Sequence, residues 1–275
     1  MKRILVPTDF SKEAEFATKI AAQFANKFNC EIYFLHIIDL PTGEVDQINT
    51  PPSEIPEALF FMKLASKRFD ELLNADYLEG ITVHHSIKTN STFTGINETA
   101  KELNIDMIIM GSHGATGFKE IFIGSNTEKV VRTSKVPVLV IKSSEKEFKV
   151  NNLVFASDFL IDSIHTYEQA VKFAKKFNSK IHLLLVNTPN NFSTSANASK
   201  RIQSFIDSSD YTNYTINIHN DDTVEKGILN FSEQIDADII GISTHGRQGI
   251  AHFFNGSISE DIVNHAIRPV ITFKI

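Results

Sequence analysis

The stretch "MGSHGATGFKEIFIGSN", Met110 to Asn126, is preceded by the apolar run "DMIIM" and ends where the segment "NTEKVVRTS" begins. A short continuous apolar run rich in β-branched residues suits a strand covered on both faces, and the segment from Asn126 reads as a short helix. Gly111 and Gly114 therefore stand at the carboxyl end of a strand, and Gly124 with Ser125 stands just ahead of a helix N-terminus. Glycines at such a strand end let backbone N–H groups approach a ligand, or take positive φ without a Cβ penalty. A helix start adds unpaired N–H groups and a partial positive charge, which suit a phosphate. A near copy, "ISTHGRQGIAHFFNGSI", occupies Ile242 to Ile258, so one account must serve both.

The repetition covers the whole chain. "RILVPTDFS" at Arg3 to Ser11 matches "NLVFASDFL" at Asn152 to Leu160, and "ANKFNCEI" from Ala25 matches "AKKFNSKI" from Ala174, both at a step of 149. His113 to His245, Gly124 to Gly256 and Pro137 to Pro269 are steps of 132, so the second copy is 17 residues shorter between Ile37 and His113. The missing piece corresponds to part of "DLPTGEVDQINTPPSEIP", rich in Pro and turn formers. Domain one is expected over 1–144 and domain two over 150–275, joined by the polar "SSEKEFK".

In the first copy "ILVP", "EIYFLHII", "TVHHSI", "DMIIM" and "VPVLVIK" read as strands. Between them Ala14, Ala17, Ala21 and Phe24 recur at helical spacing, as do Leu64, Phe69, Leu72 and Leu73. This β-α-β order predicts an α/β fold with a parallel sheet and right-handed crossovers. Ligands of such open sheets sit beyond the carboxyl ends of the strands, where the chain order reverses. Asp9, at the end of the first strand, is placed to hold a ribose hydroxyl or a cation.

Composition narrows the partners. The formal net charge is -6, with 17 Lys+Arg against 20 Asp+Glu up to Lys149 and 10 against 13 beyond it. Neither half has a basic lobe, which argues against nucleic acid. No window approaches the ~18 apolar residues of a membrane span, and a cytoplasmic protein with Cys30 as a packed thiol is expected. G-x-x-x-x-G-K-[ST], G-x-G-x-x-G and G-x-S-x-G patterns do not occur, which speaks against a P-loop NTPase, a dinucleotide enzyme and an α/β-hydrolase.

Structural roles compete for the same residues. Ser125-x-x-Glu128 and Ser257-x-x-Glu260 read as capping boxes. His113 and His245 read as loop histidines, Phe253 and Phe254 as packing residues. His84 and His85 face opposite sides of a strand, which rules out side-by-side chelation.

The spacing Gly111-x2-Gly114-x9-Gly124-Ser125, with "VPTDFS" before it and "VPVLVIK" after it, resembles the universal stress protein family in its ATP-binding form. The resemblance covers nearly all of both halves. It implies two tandem, open, Rossmann-like domains, each a five-stranded parallel sheet of order 3-2-1-4-5, with nucleotide where strands 1 and 4 diverge. Carried over by match, Pro7, Thr8 and Asp9 line the ribose and adenine side, and the backbone of Ile37 reads the adenine. Gly111, Gly114, Gly124, Ser125 and Asn126 cradle the phosphates, with magnesium as their companion, and Met110 belongs to the nucleotide-binding set. The second-copy counterparts are Asp158, Val186, Gly246, Gly256 and Ser257. There Ser243 replaces Gly111, "FASD" replaces "VPTD", and a weaker or empty site is expected. The Gly-x-Pro element that ATP-binding relatives often carry after strand 3 reads "KTNSTF" here. The resemblance further implies an ATP-binding regulatory or stress-response module without efficient turnover. Its halves would pair through their last strands as an intrachain pseudo-dimer, open to homodimerisation and to an unidentified protein partner. The alternatives are a slow ATPase using Asp9 and a metal, and a nucleotide-free scaffold.

Overall fold

A computed structural model describes residues 1–39, 54–112, 124–144, 146–160, 163–207, 209–244 and 256–274. The first half runs β1 (Arg3–Pro7), α1 (Lys12–Phe28), β2 (Glu31–Ile38), α2 (Glu54–Leu73), β3 (Val83–Thr89), α3 (Thr92–Glu102), β4 (Met107–Gly111), α4 (Ser125–Thr133) and β5 (Val138–Ile141). The second half repeats it as β6 (Asn152–Ala156), α5 (Ile164–Phe177), β7 (Lys180–Asn187), α6 (Ser195–Ile206), β8 (Tyr214–Asn220), α7 (Val224–Gln234), β9 (Ile239–Thr244), α8 (Gly256–His265) and β10 (Val270–Lys274).

Local chemistry sets the helix ends. Ser11 caps α1 by accepting from the Ala14 N–H at 3.2 Å, and Asn29, at φ 53°, ends it in the left-handed conformation. Asn178 at φ 56° ends α5 the same way, at the same step of 149. The buried stripe of α1 contains Ala14, Ala17, Ala21 and Phe24, as its spacing predicts. In α2 the stripe is Ala65, Phe69, Leu72 and Leu73, whereas Leu64 is 45% exposed. Leu64 lies one residue off that i, i+4, i+7, i+8 line, so it turns outward.

The strands form one ten-stranded sheet of order β3-β2-β1-β4-β5-β10-β9-β6-β7-β8. Each half is parallel with order 3-2-1-4-5, and the halves join antiparallel, Val138 opposite Thr272 and Val140 opposite Val270. One face packs against α1, α2, α5 and α6 around Phe24, Phe69, Phe155 and Phe173, and the other packs against α3, α4, α7 and α8 around Ile96, Val130, Ile228 and Ile262. The shortening of the second copy shows in α6, 12 residues against 20 in α2, and in the tight bridge Thr188 to Asn191 that follows β7.

The junction carries a symmetric pair of contacts. Lys142 donates to the carbonyl of Val263 in α8, and Lys274 donates to the carbonyl of Val131 in α4. Both lysines and both acceptors are related by a step of 132.

Candidate functional site

The chain order reverses between β1 and β4, and a cavity of about 280 Å³ lies beyond their carboxyl ends. Its wall contains Pro7, Thr8, Asp9, Ile37, Met110, Gly111, Gly124, Ser125 and Asn126. Sequence reasoning did not pick out Ala14, Leu35, Thr92, Ile96 and Thr127, which share that wall. Thr92 opens α3 directly after "KTNS", so the segment lacking the Gly-x-Pro element still reaches the cavity. A signal for Ala14, Thr92 and Thr127 was available, since each stands in the first turn of a helix that follows a strand. Gly114 lies outside the described residues.

The loop after β1 is built by its own hydrogen bonds. Thr8 N–H donates to the Leu35 carbonyl at 2.9 Å, and Thr8 Oγ1 accepts from the Phe10 N–H at 3.0 Å. Asp9 Oδ1 accepts from the Ser11 N–H at 3.0 Å, and Asp9 is exposed. Phe10 takes φ 61°, a left-handed conformation that costs a non-glycine residue energy. Its ring offsets that by packing edge-on against Phe69 at 5.0 Å and against His36 at 4.9 Å.

On the opposite side the start of α4 faces the cavity. Gly124 is the cap residue, at φ -57° and ψ 135°, and its N–H donates to the Ser112 carbonyl at 2.9 Å. Ser125 is the first helical residue and no side chain caps the helix, so the capping box expected at Ser125-x-x-Glu128 is not formed. Cap and serine are offset by one position. The N–H groups of Ser125, Asn126 and Thr127 belong to the first turn, where a helix has no internal acceptors to offer. The cavity thus sets apolar side chains, Leu35, Ile37, Ile96 and Met110, against a helix N-terminus, an arrangement suited to an apolar ring bearing an anionic group.

The second half keeps the loop and changes its setting. Ser157 N–H donates to Leu184 at 3.2 Å, Ser157 Oγ accepts from Phe159 N–H at 3.0 Å, and Phe159 takes φ 55°. Asp158, however, is buried, with Oδ1 accepting from Leu160 N–H at 3.1 Å and Ser163 Oγ at 3.3 Å. Val186 is buried against Gly227, as Ile37 packs against Gly95 in the first half. Gly256 opens α8 and Ser257 follows it inside the helix. Gly246, His113, His245, Phe253 and Phe254 lie outside the described residues. His84 stacks on Tyr33 at 4.5 Å and His85 packs on Phe69 at 4.8 Å, on opposite faces. Cys30 is buried, and burial raises its thiol pKa. No described helix is long and apolar enough to cross a membrane.

Strand order and cavity position define a doubly wound α/β protein with a cavity at the switch point. The model of the universal stress protein family matches residues 1–142 and 214–274, well over half of the chain, and the chain belongs to that family. Universal stress protein MJ0577 of Methanocaldococcus jannaschii is 35% identical over 153 residues, 51% of this chain and 94% of that protein. Universal stress protein MJ0531 of the same organism is 30% identical over 154 residues, 53% of this chain and 85% of its own length. The crystal structure of a universal stress protein from Archaeoglobus fulgidus superposes with a TM-score of 0.75 at 25% identity, covering 99% of this chain and 96% of that one.

Proposed function

We propose that the first half binds ATP and that the protein is a nucleotide-dependent regulatory module that turns ATP over slowly or not at all. The observation that carries this reading is the meeting of Asp9, Ile37 and the Gly124 to Asn126 helix start around one cavity at the sheet's switch point. In this reading Leu35, Ile37 and Ile96 hold the adenine, Asp9 accepts from the ribose, and the first turn of α4 takes the phosphates. Among the described residues no three His, Cys, Asp or Glu gather to hold a metal. Magnesium would therefore arrive on the phosphates. The sequence halves 1–144 and 150–275 are taken as the two domains.

Titration calorimetry on the full chain tests this. ATP is expected to bind, and a folded Gly124→Val variant, whose side chain stands at the phosphate side of the cavity, is expected to bind at least about tenfold more weakly. Unchanged affinity in that variant would overturn the assignment. The stoichiometry is expected near one per chain, because Asp158 is buried where Asp9 is exposed; two equal sites would refute the ranking. Phosphate release is expected far below the enzyme median of about 10 per second, since no described residue stands as an evident base or charge-stabilising finger. Turnover near that median, lost in Asp9→Ala, would favour the ATPase instead.

A further inference from the structure

Ile37 belongs to two surfaces at once. It lines the cavity, and its side chain rests on α3 at Gly95, where a Cβ would come within 2.7 Å of Ile37 Cδ1 and 3.6 Å of Cγ1. Gly95 is buried, and it stands in α3 between Thr92 and Ile96, which line the same cavity. Gly95 is not among the residues with positive φ, so the reason for a glycine lies in its neighbours. Alanine would otherwise suit a helix better.

The second half repeats the arrangement. Gly227 of α7 stands at a step of 132 from Gly95, and a Cβ there would meet Val186 Cγ1 at 2.4 Å. The turn ahead of each helix is tied to that helix by the same bond. Asn90 accepts from the Ser91 N–H at 2.7 Å and its Nδ2 donates to Glu98 at 3.0 Å. Asp221 accepts from the Asp222 N–H at 2.7 Å and from Asn230 Nδ2 at 2.8 Å. Donor and acceptor are exchanged between the halves, and the fastening is kept. Asn90 Cβ and Asp221 Cβ lie 3.4 Å and 3.2 Å from where the glycine Cβ would stand, so turn, helix and strand meet over each glycine.

We infer that Gly95 is a positioning residue of the nucleotide site: it receives the tip of Ile37 and so keeps the base side of the cavity open. The inference rests on the ATP reading given above. Carbon atoms pack at about 3.5–4.0 Å, so a methyl at residue 95 and Ile37 Cδ1 cannot share the space. The turn and α3 are fastened to each other, whereas Cδ1 is the free end of a side chain that is only half-buried. The tip therefore leaves Gly95 and takes its volume from the cavity that Ile37 lines. Gly227 carries the same close contact in the half whose Asp158 is buried.

ATP titration calorimetry on full-length variants tests this. Gly95→Ala is expected to bind ATP at least about tenfold more weakly than wild type. Gly95→Ala/Ile37→Val removes the Cδ1 atom that the new methyl meets, and is expected to bind at least about fivefold more tightly than Gly95→Ala. Ile37→Val alone closes the double-mutant cycle. Gly227→Ala imposes the matching contact on the second half and is expected to stay within about twofold of wild type, which a general loss of stability would not allow. Equal affinity in wild type and Gly95→Ala, or a loss that Ile37→Val does not relieve, would overturn the inference. So would an equal loss in Gly227→Ala, or a Gly95→Ala chain whose circular dichroism shows that it no longer folds. A wild-type chain that binds no ATP would remove the ATP reading and this inference with it, a result distinct from a binding wild type matched by its variant.

Discussion

Gly111 is glycine because of its neighbour. A Cβ there would lie 2.6 Å from the carbonyl oxygen of Glu13 in α1, and Gly111 is not among the residues with positive φ. The sequence marked the position as one that excludes side chains but left two reasons open, and the choice depended on a helix that starts about a hundred residues earlier. Ser243, its counterpart, is likewise not among the positive-φ residues, so the left-handed reading of the strand-end glycine does not apply at this position either. It is fully buried, and its Oγ meets Thr166 Oγ1 at 3.0 Å. Gly111→Ala is therefore expected to lower stability by about 1–3 kcal/mol as α1 and β4 are forced apart. Ser243→Ala should lose about 1 kcal/mol, the value of one buried hydrogen bond. Urea unfolding of both variants checks the pair, and an unchanged midpoint for Gly111→Ala would show that α1 yields without cost.

Strands were the most legible elements, and helix starts the least. Runs such as "EIYFLHII" and "DMIIM" are covered on both faces of the sheet, so their apolar continuity maps directly onto β2 and β4. A helix start depends on one residue's dihedral angles, and at α4 a serine three residues before a glutamate was not enough. The cap fell on Gly124, because its N–H is drawn back to the Ser112 carbonyl at 2.9 Å and Ser125 is left inside the helix. The cavity was legible where one motif supplied both sides, Asp9 at a strand end and Gly124 at a helix start. Leu35 and Ile96 were not, since an apolar residue facing a cavity has the same sequence signature as one facing the core. The corrected cap has a measurable consequence. Ser125→Ala is expected to change stability by no more than about 0.5 kcal/mol, whereas loss of a serine cap typically costs about 1 kcal/mol. Ser11→Ala, which removes a true cap from α1, supplies the comparison in the same denaturation series.

The two halves hold each other through their last helices as well as through the strand pair. Lys142 and Lys274 each bond a carbonyl in the final turns of the opposite half's helix, α8 and α4, where the helix presents acceptors without internal donors. Each side chain reaches that acceptor by entering the packed junction, and burial lowers its pKa, to about 8 for Lys142 and about 7 for Lys274, from an ordinary 10.5. The sign of the linkage follows from which state holds more protons. Between about pH 7 and pH 10.5 the unfolded chain keeps both amines protonated while the folded chain releases them, so stability rises with pH across that window. Below about pH 7 both states are protonated, and this contribution rests at its lowest level. The wild-type melting temperature, corrected for the remaining groups by comparison with Lys142→Met/Lys274→Met, is expected to climb between pH 6.5 and pH 9 by at least about 3 °C more than the variant's, at roughly 2–4 °C per kcal/mol for a chain of this order of size. Methionine keeps the length and apolar stem of each lysine without a titrating group. Parallel pH curves for the two proteins would show that the amines are solvated in the folded state and that neither lysine is linked to stability through its titration.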